Sequence, residues 1–192
     1  MPRLVAACLP AVLSLAVVSC GAPPDKELGQ AQGAIEAARA AGADSYAPDQ
    51  FKAASDALRR AEQAVAERDY RLALSQALDS REYAQDAAKL AASQKAEVRS
   101  EAERLLAQVT SAVAIASTRL AAPSARTPSP AVTALQAAVR DARVAMDDAG
   151  KALASEDYLE ARRRLQGVRE AVLAAEQALP PAPSARPGRR GR

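Results

Sequence analysis

Few residues in this chain have the types and spacing needed for catalysis. The sequence contains no histidine, the most frequent general base and a common ligand for transition metals. The tight acidic clusters are Asp147 with Asp148 and Glu101 with Glu103, and each lies among other charges on a predicted helix, as is typical of a solvated helix face. Serine–lysine and paired-carboxylate catalysis stay open to such a chain. We nevertheless predict a non-catalytic protein with no catalytic residue, no metal site and no cofactor.

A cysteine, Cys20, stands at the end of an apolar segment near the start of the chain. Residues 1–19 carry one basic side chain, Arg3, then a mostly apolar run that ends at Ser19, which is the pattern of a secretory signal peptide. A membrane-spanning helix needs about 20 apolar residues and is the weaker interpretation, because this run is shorter and prolines follow it. Removal of the signal would also remove Cys8, so Cys20 would be the one cysteine of the mature chain.

The residues Val17-Val18-Ser19-Cys20 resemble the lipobox of bacterial lipoproteins, in which a peptidase cuts before the cysteine and its thiol carries a diacylglycerol. The resemblance implies cleavage between Ser19 and Cys20 and lipid attachment at Cys20, and two or more acyl chains anchor a protein stably. Gly21 in second place resembles cargo sent to the outer membrane. We therefore expect a lipid-anchored protein at the outer membrane that faces the periplasm. The alternative is an ordinary signal peptide with Cys20 incidental.

The composition predicts an all-α fold of long amphipathic helices in two helical hairpins, as a bundle or coiled coil. Alanine dominates the sequence and aromatic residues make up only 3%. Alanine favours helix but buries little apolar area, so the helices must lie close together.

The charge of the chain is concentrated at one end. The sequence has 26 Lys plus Arg against 23 Asp plus Glu, and four of the arginines fall in the last seven residues: Arg186, Arg189, Arg190 and Arg192. The body has no concentrated basic face, so we expect no nucleic-acid partner. The basic tail is either plain disorder or a weak contact for anionic headgroups or cell wall.

Prolines, glycines and apolar spacing divide the chain. We predict a signal peptide (1–19), a lipidated N-terminus and linker (20–26), a helical domain with a long third helix (27–120), a Pro-rich linker (121–130), a second helical hairpin (131–179) and a disordered basic tail (180–192). Gly42 is expected to end the first helix, Pro48 to begin the second and Tyr70 the third. The apolar stripe of the third helix is predicted at Ala73, Leu74, Ala77, Leu78, Ala84, Ala87 and Ala91. A bend near residues 93–100 stays open, and a fifth helix is expected to carry Leu165, Val168, Val172, Ala175 and Leu179.

Two helix breaks have the same sequence pattern. The stretches "AERDYRLA" at 66–73 and "ASEDYLEA" at 154–161 share Ala, Asp, Tyr and Ala at matching places. This match indicates two related helical hairpins, although some matching between alanine-rich helices arises by chance.

The residues shared by these breaks are candidate structural elements of the hairpins. Asp69 and Asp157 are expected to cap the helices that follow, and Tyr70 and Tyr158 to pack back across each hairpin. The alternative role for these tyrosines, and for Tyr46 and Tyr83, is that of docking points for a partner.

Both breaks resemble the start of the second helix in tetratricopeptide repeats. The Trp, the glycine pair and the closing proline of that family are missing, so the resemblance implies a tetratricopeptide-like hairpin and not a tandem array. Over residues 27–95 the pattern "AGA..YAP" followed by "DY..A" is similar to an envelope lipoprotein domain of unknown function, with Phe51 where leucine is usual. That resemblance implies a small helical envelope module and brings no catalytic residues.

Two functions are compatible with these features. The first is a structural, scaffolding or tethering lipoprotein that is held by its lipid anchor and contacts cell wall or envelope proteins. The second is an adaptor whose hairpins bind a peptide or protein partner in an envelope assembly or transport complex. We expect no small-molecule substrate in either case.

Overall fold

The computed structural model describes residues 22–122 and 128–179. Within these ranges the chain forms seven α-helices and no strand, which confirms the all-α prediction. The helices are α1 (Asp25–Ala40), α2 (Ala43–Tyr46), α3 (Pro48–Ala66), α4 (Tyr70–Ala121), α5 (Pro130–Ala154), α6 (Tyr158–Leu165) and α7 (Val168–Gln177). The predicted signal peptide, Ser19, Cys20, residues 123–127 and the basic tail lie outside the described residues.

The longest element, α4, organises the molecule. It runs for 52 residues and is therefore about 78 Å long at 1.5 Å per residue. The helix continues through residues 93–100, where the sequence left a bend open. Helices α1 and α3 pack on its N-terminal part, and α5, α6 and α7 pack on its C-terminal part. Two cores therefore lie one after the other along a single helix.

The first core is built mainly from alanine. Its fully buried side chains include Ala54, Ala84, Ala87 and Ala91, with Ile35 as a larger member. Small side chains allow the helices to approach closely, and each contact buries little apolar area.

One polar side chain, Ser80, is buried between α3 and α4. Its hydroxyl donates a hydrogen bond to the Ala54 carbonyl at 2.9 Å across the two helices. The donor is thereby satisfied inside the core.

The predicted stripe of α4 was wrong at its two leucines. Leu74 and Leu78 are 38% and 39% exposed, whereas Ala73, Ala77 and Ser80 are fully buried. A stripe of small residues faces α1 and α3 because only small residues fit at this helix spacing. The leucines are displaced to the edge of the contact.

The second core contains larger apolar side chains. Leu135, Leu165, Val109 and Val172 are fully buried there, and Met146 and Leu120 pack against them. Burial of a leucine or valine contributes about 1.5–3 kcal/mol, so this core gains more hydrophobic free energy per contact than the alanine core.

The helix ends in the first half differ from the sequence prediction in two places. α1 begins at Asp25, inside the predicted linker 20–26. A short helix, α2, was missed between the first two predicted helices. It follows Gly42, whose φ is +82°, and a Cβ on Gly42 would lie 3.2 Å from a ring carbon of Tyr46. Glycine is therefore needed at this corner for conformation and for space.

The predicted fifth helix is wrong as a single element. It divides into α6 and α7 at Gly167, whose φ is +77°. α5 also begins one residue earlier than predicted, at Pro130. A proline is accepted at a first helical position because no intrahelical hydrogen bond is lost there. Ser129 caps the helix by accepting a hydrogen bond from the Val132 amide at 3.2 Å.

Candidate functional site

The two predicted hairpin turns have nearly the same backbone. Asp69 has φ −85° and ψ 74°, and Asp157 has φ −85° and ψ 73°. Each aspartate follows a non-glycine residue in the left-handed region, Arg68 at φ 62° and Glu156 at φ 60°. Such values are uncommon outside glycine, asparagine and aspartate. Their recurrence at matching positions supports two related hairpins.

The same hydrogen bonds hold both turns. The Asp69 amide donates to the Ala64 carbonyl and the Asp157 amide to the Ala152 carbonyl, both at 2.9 Å. In each turn the donor amide belongs to the residue that follows the left-handed residue, and the acceptor carbonyl belongs to the last turn of the preceding helix. This hydrogen bond ends the preceding helix.

Each aspartate side chain then caps the next helix. Asp69 accepts a hydrogen bond from the Leu72 amide at 3.0 Å, and Asp157 accepts one from the Glu160 amide at 3.1 Å. Both side chains satisfy amides that have no intrahelical acceptor. The aspartates thus have a structural role at both turns.

The two tyrosines that follow these aspartates differ in their surroundings. Tyr70 is half-buried, whereas Tyr158 is only 7% exposed. The Lys95 ammonium lies 5.6 Å and the Arg99 guanidinium 5.8 Å from the centre of the Tyr158 ring, within the range of a cation–π contact. Tyr158 is therefore buried beside two charged side chains of α4, Lys95 and Arg99.

A cleft of about 390 Å³ opens beside Tyr158, where the two cores meet on α4. It is lined by Ala41, Ala92, Lys95, Ala96, Arg99, Glu156 and Tyr158. Three alanines and the tyrosine ring supply the apolar part of this lining, and Lys95, Arg99 and Glu156 supply the charged part. This cleft is the candidate site that combines charge, an aromatic surface and residues from both halves of the chain.

The charges at this cleft are paired. Lys95 donates a hydrogen bond to Glu156 at 3.0 Å, which raises the pKa of Lys95 and lowers the pKa of Glu156. Arg99 donates to Glu103 at 2.8 Å, which raises the pKa of Arg99. Lys95 and Arg99 are therefore the cationic members of two ion pairs at this cleft.

Tyr46 of α2 faces the same region. Burial raises the pKa of Tyr46, while the nearby charge of Lys95 lowers it. Asp157 and Arg162 of the second hairpin also influence this phenol. The α2 corner of the first core therefore lies close to the turn between α5 and α6 in the second core.

The acidic clusters named from the sequence are engaged in ion pairs. Asp147 contacts Lys151 at 2.6 Å and Glu101 contacts Arg162 at 3.2 Å. Asp148 contacts Arg164 at 3.4 Å, and Glu103 binds Arg99 as described above. Within 22–122 and 128–179, no group of three or more Asp, Glu, His or Cys side chains could hold a metal ion.

The structure brings together some of the candidate residues and not others. Tyr46 and Tyr158 share one region, while Tyr83 is 43% exposed on α4. Sequence reasoning missed Lys95 and Arg99, since nothing in the local pattern distinguishes them from other charged residues of a long helix. Among the described helices, none is long and apolar enough to cross a membrane.

Comparison with known proteins finds one similarity, to a protein family. No similar curated protein and no similar solved structure was found. Residues 26–105 match a family described as a domain of unknown function, DUF4398. The match covers α1 to α3 and α4 as far as Leu105. Residues 26–105 are therefore similar to the DUF4398 family, and the matched stretch includes the whole first core.

Proposed function

We propose that this protein is a non-catalytic, lipid-anchored envelope protein that acts as a scaffold or tether at the outer membrane and faces the periplasm. The observation that carries the proposal is the arrangement of two helical cores in line along α4. Because α4 is continuous, one stiff helix of about 78 Å holds the two cores in line. Such a shape suits a protein that spans a distance.

The surface of the described helices supports a role in holding a shape. Many of its charged side chains form short ion pairs along or between helices, as Lys52 does with Asp56 and Lys95 with Glu156. Such exposed pairs contribute little stability each, and they spread opposite charges over the helix surfaces. Binding through helix surfaces is the capability that remains.

The anchor is tested by changing Cys20. In cells fed labelled fatty acid, the wild-type protein should take up label and sediment with the outer membrane, and Cys20→Ser should do neither. Cys8→Ser is the matched control and should behave as wild type, because Cys8 lies within the predicted signal. A Cys20→Ser protein that stays in the outer-membrane fraction would contradict the anchor.

The tether is tested by complementation of a deletion strain. We expect deletion to weaken the envelope or the assembly of a neighbouring complex, as measured by detergent sensitivity and by recovery of that complex. The full chain should restore both, and Cys20→Ser should not. Turnover of a cell-wall or lipid substrate by the purified protein, lost when one carboxylate is changed, would overturn the non-catalytic assignment.

A groove in the second core favours the second candidate function, an adaptor that binds a peptide or protein. This groove of about 470 Å³ is lined by Ser117, Leu120, Gln136, Val139, Arg140, Arg143 and Val144. Val144 is 58% exposed, and Arg143 donates a hydrogen bond to the Ser117 hydroxyl at 3.3 Å. Two arginines beside apolar side chains fit an acidic partner with an apolar face.

In-cell crosslinking separates the two functions. A photoreactive residue at Val144 should capture one defined protein if the adaptor function holds. The matched control is Ile115, which is 50% exposed but does not line the groove. Equal capture from both positions would argue against a specific adaptor site.

A further inference from the structure

We propose that the groove between α4 and α5 binds a short acidic helix of a partner protein, with Arg140 and Arg143 pairing with two carboxylates of that helix. The inference rests on the second candidate function, the adaptor, and it names the chemistry and the length of the segment that the adaptor takes. The apolar side chains of the same groove contact the apolar face of that helix. The partner segment is therefore an amphipathic helix with acidic residues beside its apolar face.

The two arginines keep their charge available for a partner. Arg143 donates to a neutral group, the Ser117 hydroxyl, at 3.3 Å. Arg140 lies 3.5 Å from its sequence neighbour Asp141, and their side chains are 72% and 74% exposed, so this contact contributes little. Within the described helices, neither arginine forms an ion pair with a carboxylate of another helix, whereas Arg162 does. Both guanidinium groups can therefore pair with an incoming carboxylate, for which their planar geometry is suited.

The part of the second core around this groove has an excess of positive charge. From position 105 to position 146, the described residues include three arginines and one acidic residue, Asp141. Arg119 borders a different pocket, beside Glu176 of α7, so the two arginines of α5 supply the charge at the groove. A segment that carries carboxylates complements this charge.

The groove has the length of a short helical segment. Its lining on α5 runs from Gln136 to Val144, which is eight positions or about 12 Å at 1.5 Å per residue. Arg140 and Arg143 are one helical turn apart, and carboxylates on successive turns of a partner helix have the same spacing of about 5–6 Å between Cβ atoms. The next charged residue along α5 is Asp147, whose carboxylate already has a lysine partner at 2.6 Å. The complementary part of the partner is therefore about two helical turns long.

The apolar lining of the groove favours a helix face over a simple anion. Leu120, Val139 and Val144 line the groove together with the arginines. Val144 is the most exposed large apolar side chain of the described residues, at 58%, and covering it with an apolar surface is favourable. A small anion would pair with the arginines and leave these three side chains uncovered. An amphipathic helix uses both parts of the lining.

The acidic segment must come from another molecule. The stretches of this sequence outside the described residues are 1–21, 123–127 and 180–192, and none of them contains an aspartate or a glutamate. The last stretch contains four arginines, which the positive charge of the groove would repel. These stretches therefore cannot supply the side-chain carboxylates.

Fluorescence polarisation tests the groove with the full-length protein, purified in mild detergent. The probe is a fluorescein-labelled, stapled helix of about twelve residues, or about three turns, with two glutamates on successive turns beside a face of leucines. We expect this probe to bind at least tenfold more tightly than its glutamine counterpart. Because the arginines are exposed, salt should weaken the binding.

Charge reversal locates the binding. Arg140→Glu combined with Arg143→Glu should weaken binding of the acidic probe at least tenfold. The matched control is Arg71→Glu combined with Arg104→Glu, which makes the same change of charge at exposed residues that do not line the groove, and it should bind as wild type. A lysine version of the probe should bind the groove variant more tightly than it binds wild type, a gain that loss of folding cannot produce.

Three results would overturn the proposal. The first is no binding of the acidic probe to the wild-type protein. The second is an equal loss of binding in the two double variants. The third is displacement of the probe by dihexanoylphosphatidylglycerol, below its micelle concentration, at least as well as by unlabelled peptide, since an anionic headgroup would then be the ligand.

Crosslinking in cells separates this proposal from the adaptor function. A photoreactive residue at Val144 should capture a protein through a peptide with two acidic residues three or four positions apart, and Arg140→Glu with Arg143→Glu should abolish the capture. If capture persists in that variant, the adaptor stands and the acidic helix falls. If the acidic probe binds as expected but nothing is captured in cells, the adaptor falls and the selectivity of the groove stands. Capture of a second copy of this chain would overturn the assignment of the groove to a partner protein.

Discussion

The two hairpin tyrosines provide the sharpest test of how the second core is held to α4. They occupy matching positions, yet Tyr158 is 7% exposed with two cations over its ring, whereas Tyr70 is half-buried and no cation of the described residues lies over its ring. We predict that Tyr158→Ala destabilises the protein clearly more than Tyr70→Ala.

The expected magnitudes follow from burial. Truncation of a buried aromatic side chain to alanine costs about 3–5 kcal/mol. We expect about 3 kcal/mol for Tyr158→Ala, because the ring borders an open cleft. Tyr70 loses about half as much contact, hence about 1.5 kcal/mol. In a chain of this size 1 kcal/mol shifts the melting temperature by about 2–4 °C, so the expected decreases are about 9 °C and 4 °C.

Urea and thermal unfolding followed by circular dichroism measure this difference. Tyr158→Phe is the control that keeps the ring and should lose little stability. A double-mutant cycle with Tyr158→Leu and Lys95→Met isolates the contact between cation and ring, and we expect a coupling energy different from zero. Equal losses for Tyr70→Ala and Tyr158→Ala would refute the reasoning, because burial would then not decide the cost.

Three further predictions concern the caps, the cores and a phenol. Asp69→Ala and Asp157→Ala should each lower the free energy of unfolding by about 1 kcal/mol, whereas asparagine at either position should keep the cap; unchanged melting for both alanine variants would contradict the capping role. Leu135→Ala should cost about 2–5 kcal/mol by leaving a cavity, and Ala77→Leu about 1–3 kcal/mol by overpacking; a stabilising Ala77→Leu would show that the first core is not close-packed. Burial raises the pKa of Tyr46. The neutral Tyr46 phenol therefore contributes stability below about pH 10, and this contribution is lost as the pH rises through the pKa of Tyr46 in the folded protein. Tyr46→Phe should remove a late step from the phenolate absorbance titration.

The sequence was sufficient for features that depend on neighbouring residues. Apolar spacing predicted the helical class, and the absence of proline and glycine allowed one long third helix, which the structure shows as α4. Gly42, Pro48 and Asp69 lie at the helix ends where they were expected. Local backbone preferences decide such ends, so residue type alone carries the information.

Features that depend on helix spacing were not predictable. Leu74 and Leu78 follow the apolar periodicity of α4 as well as its alanines do, and only the close approach of α1 and α3 places the leucines outside. The meeting of Tyr158 with Lys95 and Arg99 depends on contacts between residues some 60 positions apart. The break at Gly167 was missed because Leu165, Val168 and Val172 keep an apolar spacing across it.

The matching hairpins explain how such a shape can arise from one simple unit. In both hairpins a polar pair bridges the arms at matching positions, Arg60 with Gln76 in the first and Asp148 with Arg164 in the second. The hydrogen-bond donor is Arg60, before the turn, in the first hairpin and Arg164, after the turn, in the second. The contact between the arms is therefore present in both hairpins, with the positions of donor and acceptor exchanged. The helix after the turn continues for 52 residues in the first hairpin but ends after eight in the second. Because α4 both closes the first core and opens the second, covalent continuity sets the spacing of the cores, and the polar contacts around Tyr158 fix their rotation about α4.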